Sequence, residues 1–131
     1  LEASDLGTVE RKNNFFTDYR LQDYLRQHGN GATAVSTSEF TGTCYNRGHQ
    51  VPSKDRTDTE ENNEKTFITA NIIPQTAFLN QIIWDTLEEH SRRLVRNGKK
   101  LFIIAGPAYD EDFGKIGPRK DIPVPSKNFK V

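Results

Sequence analysis

The segment 66–106 limits the possible folds of this chain more than any other part of the sequence. Between Thr76 and Arg96, leucine or isoleucine recurs near helical spacing at positions 79, 83, 87 and 94, which predicts an amphipathic helix. Asn97-Gly98 follows as a helix stop signal. Runs of β-branched and apolar residues at 66–73 and 101–106 predict a strand on each side of this helix, the second one buried. The predicted class is therefore α+β.

The rest of the chain predicts short elements joined by loops. Residues 21–27 favour a short helix, which 29–31 (Gly-Asn-Gly) ends because Gly and Asn tolerate positive φ. Residues 40–45 are typical of a loop or short strand. Residues 53–65 are charged and lack apolar side chains, which indicates a surface helix or loop. Residues 122–125 alternate with proline and are expected to be extended.

The composition favours one domain, 1–131, with a small core. A chain of 131 residues has the length of a single domain. Its hydrophobic fraction is 34% and its mean hydropathy is -0.76, so we expect a core that is small or completed by something outside this chain. Lysine plus arginine and aspartate plus glutamate number 18 each, so any polyanion site must be a local basic patch. With one cysteine, Cys44, the chain cannot form an internal disulfide. No apolar run reaches the ~18 residues expected of a membrane-spanning helix.

Asn46-Arg47-Gly48-His49 carries two groups suited to phosphodiester cleavage. An imidazole titrates near neutrality, so His49 can act as a general base. Arg47 lies two residues earlier, and in an extended segment both side chains project to the same face. A guanidinium grips phosphate oxygens through its planar fork. Arg47 can therefore hold the phosphate that is attacked by water activated at His49.

The predicted helix supplies groups suited to a metal ion. Asn80, Trp84, Glu88 and Arg92 are spaced by four and lie along one stripe. An amide oxygen is a neutral, hard ligand that suits Mg²⁺, an ion that keeps most of its waters. The Glu88 carboxylate, two turns from Asn80, can accept hydrogen bonds from those waters.

Each of these residues also has an ordinary explanation. His49 could be a surface or capping histidine, and Asn80 a helix cap. Trp84 is expected to anchor the core. Glu88 and Arg92 could form only a helix-stabilising pair. The ordered combination favours the catalytic interpretation.

The ordered motifs resemble those of a known family. Residues 45–57 are similar to the Asp-Arg-Gly-His signature of the DNA/RNA non-specific endonucleases, the Serratia-nuclease type that also includes mitochondrial endonuclease G. Residues 66–75 resemble the second block of this family, and 80–92 resemble its helix block. Residues 101–106, 122–123 and 127–131 resemble its later strand and loop, so the resemblance covers essentially the whole chain.

The resemblance implies a ββα-metal (His-Me finger) nuclease fold, with an antiparallel sheet and a metal-bearing helix, incomplete at both ends. It implies that His49 is the general base, Asn80 the direct ligand of Mg²⁺ (or Mn²⁺), and Glu88 the holder of metal-bound water. Arg47, Arg92 and, less directly aligned, Arg11 would contact the phosphate. Asn71 would help to build the site.

The same resemblance implies the partners and the location of the protein. The substrates would be DNA and RNA, cut with little sequence preference to leave 5′ phosphates. The remainder of the domain as another chain and an inhibitor protein are further expected partners, without membrane insertion. A secreted, periplasmic or organellar location is implied. A catalytically silent scaffold and a nucleic-acid-binding module are the alternatives.

One position departs from the family pattern. Asn46 stands where the family usually has Asp. An amide keeps a similar size and one acceptor, so Asn46→Asp is expected to change activity by less than about tenfold.

Overall fold

The computed structural model describes residues 1–131 and consists of short elements. In chain order they are α1 (Tyr19–His28), β1 (Asn46–His49), α2 (Glu60–Lys65), β2 (Ile72–Gln75), a π-helical segment (Leu79–Trp84) that continues into α3 (Asp85–Arg96), β3 (Ala105–Ala108), β4 (Lys115–Ile116), β5 (Ile122–Pro123) and β6 (Lys127–Lys130). Short 3-10 turns lie at Ala3–Asp5, Thr37–Phe40, Ser53–Asp55 and Thr69–Asn71. None of the helices has the length and apolar character needed to cross a bilayer.

The strands form three antiparallel pairs, β1 with β2, β3 with β6, and β4 with β5. In the first pair, Arg47 lies opposite Pro74 and His49 opposite Ile72. The helix formed by the π-helical segment and α3 follows β2 directly in the chain. Mixed helices and antiparallel strands confirm the predicted α+β class.

The long helix is close to the predicted one. At its start, the Leu79 backbone N–H donates to the Thr76 hydroxyl at 3.2 Å, which satisfies one of the free N–H groups of the first turn. At its end, the C-cap Asn97 is followed by Gly98 with φ of 83°, as the stop signal predicts. The π-helical segment was not predicted; its wider hydrogen-bonding pattern is frequent at functional sites.

The strand predicted at 66–73 is shifted in the structure. Only Ile72–Gln75 forms a strand, and Thr69–Asn71 is a 3-10 turn. The backbone before it bonds elsewhere: the Thr69 N–H donates to the Phe16 carbonyl at 2.9 Å, and the Thr66 N–H donates to the Asn63 carbonyl at 3.1 Å. Because the end of α2 and the loop before α1 use these groups, no ladder forms here.

The buried strand predicted at 101–106 is also corrected. The strand begins at Ala105. Just before it, Ile104 and Val131 exchange N–H to carbonyl hydrogen bonds of 2.8 and 2.9 Å. Phe102 is 87% exposed and Ile104 is 68% exposed. No second layer of this chain covers the two side chains, so the segment is not buried.

The hydrophobic core is small, as the composition predicts. Its main cluster consists of buried Phe40, Ile72, Ile116, Ile122 and Val124, with Phe15, Val35 and Tyr45 packed against them. This cluster joins β2 to β4 and β5. Phe15, at its margin, also contacts the His49 ring, so the core and the candidate site share a wall.

Candidate active site

Five of the predicted site residues line one cleft of about 260 Å³, which has no hydrophobic residue in its wall. These residues are Arg11, Arg47, His49, Asn80 and Glu88. They come from the loop before α1, from β1 and from the helix after β2, so tertiary folding brings together groups far apart in the chain.

His49 is held by aromatic rings and is neutral at pH 7. It is 8% exposed. Its ring meets the edge of Phe67, with centroids 4.9 Å apart, and lies 5.6 Å from the Phe15 ring. Burial, together with the nearby positive charge of Arg11, lowers the pKa of His49 from 6.5 to about 4. Its Nε2 atom is buried without a hydrogen-bond partner. A neutral imidazole can accept a proton, which is the requirement for a general base.

Two guanidinium groups stand beside the histidine. Arg47 lies over the Phe15 ring at 5.1 Å and donates to the Thr37 carbonyl at 3.0 Å. Arg11 lies over the Phe67 ring at 5.3 Å. The rings that hold His49 therefore also position two cations by cation–π contact. The alternation of β1 accounts for Arg47 and His49 reaching the same cleft.

Gly48 lets β1 and β2 approach closely. A Cβ atom at this position would overlap the side chain of Gln75. Gln75 is 1% exposed, so it has no open space into which it could move. A glycine between Arg47 and His49 is thus required by packing against β2.

Asn71 fixes the chain immediately after His49. Its side-chain oxygen accepts from the Val51 N–H at 2.9 Å, and its amide donates to the Val51 carbonyl at 2.9 Å. The same amide also donates to the Thr66 carbonyl at 2.8 Å. The backbone carbonyl of Asn71 accepts from the Gln50 N–H at 2.9 Å. This side chain therefore holds the loop that follows the histidine.

Asn80 and Glu88 fit a weakly held, hydrated divalent cation. Both line the cleft, and both offer the hard oxygen donors that Mg²⁺ prefers. No group of three or more His, Cys, Asp or Glu side chains gathers anywhere in the structure to cage a metal ion. Burial raises the pKa of Glu88, against the opposing attraction of Lys130. The donor set therefore suits an ion that retains most of its waters.

Comparison with known proteins identifies the family of this chain. The profile of the DNA/RNA non-specific endonuclease family matches residues 1–131. The chain belongs to the DNA/RNA non-specific endonuclease family. It is 40% identical over 133 residues to a nuclease of Nostoc sp., covering 100% of this chain and 44% of that protein. It is 28% identical over 124 residues to mitochondrial endonuclease G of Homo sapiens, covering 87% of this chain and 40% of that protein.

A solved structure shares the fold of this endonuclease-family chain. It is a crystal structure of the EndoG/EndoGI complex, which concerns the mechanism of EndoG inhibition. The TM-score is 0.78 at 22% identity, over 100% of this chain and 56% of that one. This likeness supports the ββα-metal fold. The chain spans about half the length of that structure, and less than half of the two nucleases above.

Arg92 lies apart from the cleft of this family member. Its side chain is 1% exposed, and its Nη1 donates to Asp55 Oδ1 at 2.9 Å. Its Nε donates to Glu89 at 3.1 Å. The predicted stripe does point inward at Arg92, but the guanidinium forms a buried ion pair rather than reaching the wall of the cleft. Arg92 is not among the residues that line the cleft, and its phosphate contact stays a prediction.

Several site residues were not predicted as such. Lys54, Gln81 and Asp85 line the cleft, and Lys54 pairs with Asp85 at 3.3 Å. Phe15 and Phe67 hold the histidine, although the sequence indicates only that they are apolar. The sequence offered one signal for Lys54 and Asp85 as site residues, which is their position within the segments 45–57 and 80–92 that resemble the family motifs.

Proposed function

We propose that this chain forms the catalytic part of an endonuclease that hydrolyses phosphodiester bonds in both DNA and RNA. The observation that carries the proposal is the neutral, buried His49 sharing one polar cleft with Arg11, Arg47, Asn80 and Glu88. Family membership supports nuclease activity. The contacts available in the cleft suit the nucleic-acid backbone, which carries no base information, so little sequence preference is expected.

In the proposed reaction, Arg11 and Arg47 bind the phosphate and orient it. His49, neutral at pH 7, takes a proton from the attacking water. Asn80 would hold a hydrated Mg²⁺, or Mn²⁺, with Glu88 accepting hydrogen bonds from its waters. Such an ion would offset the negative charge on the phosphate and on the departing 3′ oxygen. The products would carry 5′ phosphates.

The first test is digestion of supercoiled plasmid and of a structured RNA, with Mg²⁺ and with EDTA. Both substrates should be cut only with the metal. His49→Ala should lower the rate by about 10²–10⁴-fold, the range for a lost general base. His28→Ala is the matched control, since His28 is an exposed histidine on α1, and it should cut at the wild-type rate. Unchanged cleavage by folded His49→Ala protein would contradict the proposal.

The second test concerns the metal. Asn80→Ala should require more Mg²⁺ for half-maximal activity or lose activity altogether. A Mg²⁺ titration identical to that of the wild type would remove Asn80 as the ligand. End-labelling of the products checks for the 5′ phosphate.

Location and protein partners are proposed from the relatives. One relative is named as a mitochondrial enzyme, and the solved structure is a complex concerned with inhibition. We propose an organellar or exported location and sensitivity to a protein inhibitor. Fractionation of cells with an antibody to this protein tests the first proposal, and cleavage in the presence of a candidate inhibitor tests the second.

A further inference from the structure

A buried lysine on the last strand reaches the wall of the candidate active site. Lys130 lies at the end of β6, opposite Ala105 of β3. Its side chain is 5% exposed, and its Nζ donates to Glu88 Oε1 at 3.3 Å. The same ammonium lies 4.8 Å from the centroid of the Trp84 ring. The proposed reaction gives this residue no task.

A lysine in such a position has a specific physical requirement. Taking an ammonium out of water is costly unless a carboxylate and other partners replace its hydration. Glu88 supplies the opposite charge, and Trp84 supplies the face of its ring. Trp84 is itself 5% exposed, so it forms a fixed wall. Glu88 and Trp84 therefore leave the ammonium little freedom to move.

The contact also restricts Glu88. One carboxylate oxygen, Oε1, is held by Lys130, whereas Oε2 has no hydrogen-bond partner in the protein. Glu88 lines the cleft that also contains Asn80 and His49. A glutamate side chain has several rotamers, and a fixed partner on one oxygen selects among them. The contact with Lys130 therefore limits the orientations of a carboxylate that lines the cleft.

We propose that Lys130 is a positioning residue, whose ammonium, fixed against Trp84, holds the Glu88 carboxylate in the orientation that serves the metal-bound waters. This inference rests on the proposed function of Glu88. It links β6, near the end of this chain, to the helix that bears Asn80.

The test compares Lys130→Met with Lys127→Met. Lys127 lies on the same strand, but its side chain is 63% exposed and pairs with Asp110, so it is a matched control. Two quantities are measured well below the unfolding temperature of each variant: Mn²⁺ affinity without nucleic acid, by electron paramagnetic resonance, and kcat and KM on a defined oligonucleotide.

Lys130→Met should weaken Mn²⁺ binding and lower kcat by about tenfold or more, the usual effect of losing a partner of a metal-site residue. KM should stay within about twofold, because the phosphate contacts are untouched. Lys127→Met should match the wild type in both quantities. Lys130→Arg should recover part of the loss, since a guanidinium can also hold Glu88. Should Lys130→Met fail to fold, Lys130→Arg and Lys130→Gln are compared instead, and the glutamine variant should show the larger loss.

A cycle with Glu88→Gln separates positioning from a merely structural role. If Lys130 acts through Glu88, Lys130→Met should add little to the loss in Mn²⁺ affinity when Glu88→Gln is already present. Full additivity of the two losses would overturn the proposal, as would Lys130→Met protein with wild-type Mn²⁺ affinity. A wild-type protein that binds Mn²⁺ but cuts no nucleic acid would contradict the proposed function, and the Mn²⁺ cycle would still decide the role of Lys130.

Discussion

Asp55→Ala is expected to destabilise the protein by about 3–5 kcal/mol, the cost of removing one partner of a buried ion pair. The Arg92 Nη1 and Asp55 Oδ1 atoms are 2.9 Å apart, and the Asp55 and Arg92 side chains are 6% and 1% exposed. Without the carboxylate, the buried guanidinium keeps only Glu89 as a hydrogen-bonded partner, and the Glu89 side chain is 54% exposed. An exposed partner contributes at most about 1 kcal/mol, so Glu89 cannot replace Asp55.

The assay is urea unfolding of the wild type, Asp55→Ala, Arg92→Met and the double variant. For a slope of about 1–3 kcal/mol/M, the expected loss of about 3–5 kcal/mol moves the midpoint by roughly 1–5 M. The double variant should be more stable than either single variant, since no buried charge is left alone. Glu61→Ala is the control, because Glu61 pairs with Lys65 on an exposed helix face and its removal should leave the urea midpoint nearly unchanged.

The same variants decide what Arg92 does. If the pair is structural, the double variant recovers stability and most activity together. Strictly additive losses of stability, or a loss below about 1 kcal/mol for Asp55→Ala, would refute the argument from burial. A stable double variant with an activity loss of about a hundredfold would instead return Arg92 to the phosphate contact implied by the family resemblance.

Three further predictions follow from the histidine strand and its neighbours. The pKa of His49 is lowered from 6.5 to about 4 in the folded protein, so between these pH values the unfolded chain binds the proton more readily. The free energy of unfolding should therefore fall by up to roughly 3 kcal/mol as the pH drops from 6.5 to 4. Urea unfolding at a series of pH values measures this change. His49→Gln should flatten this dependence, and an equally steep curve for that variant would exclude His49 as its source. Gly48→Ala should cost about 1–3 kcal/mol through overlap with Gln75, and an unchanged melting temperature would contradict the packing argument. Asn71→Ala removes the hydrogen bonds to both the N–H and the carbonyl of Val51, so it should speed amide exchange at Val51 and cost about 1–3 kcal/mol; unaltered exchange at Val51 would show that the loop is held by other contacts.

The sequence by itself determined the features that depend on local pattern. The helix predicted over 76–96, observed as Leu79–Trp84 and Asp85–Arg96, follows from apolar periodicity, and its stop at Asn97-Gly98 follows from a local stop signal. The shared direction of Arg47 and His49 follows from strand alternation alone. These signals also suffice for the α+β class.

Only the tertiary structure decided which partners each inward-facing group meets. Arg92 points inward as its spacing predicts, yet its partner Asp55 lies 37 residues away, in a segment whose charged composition indicates a surface. Lys130 and Glu88 are 42 residues apart. The strand predicted at 66–73 is observed instead at Ile72–Gln75, because the backbone before it bonds to the end of α2 and to the loop before α1. A local pattern encodes which side of an element is buried, whereas the identity of the group it meets depends on how distant elements pack.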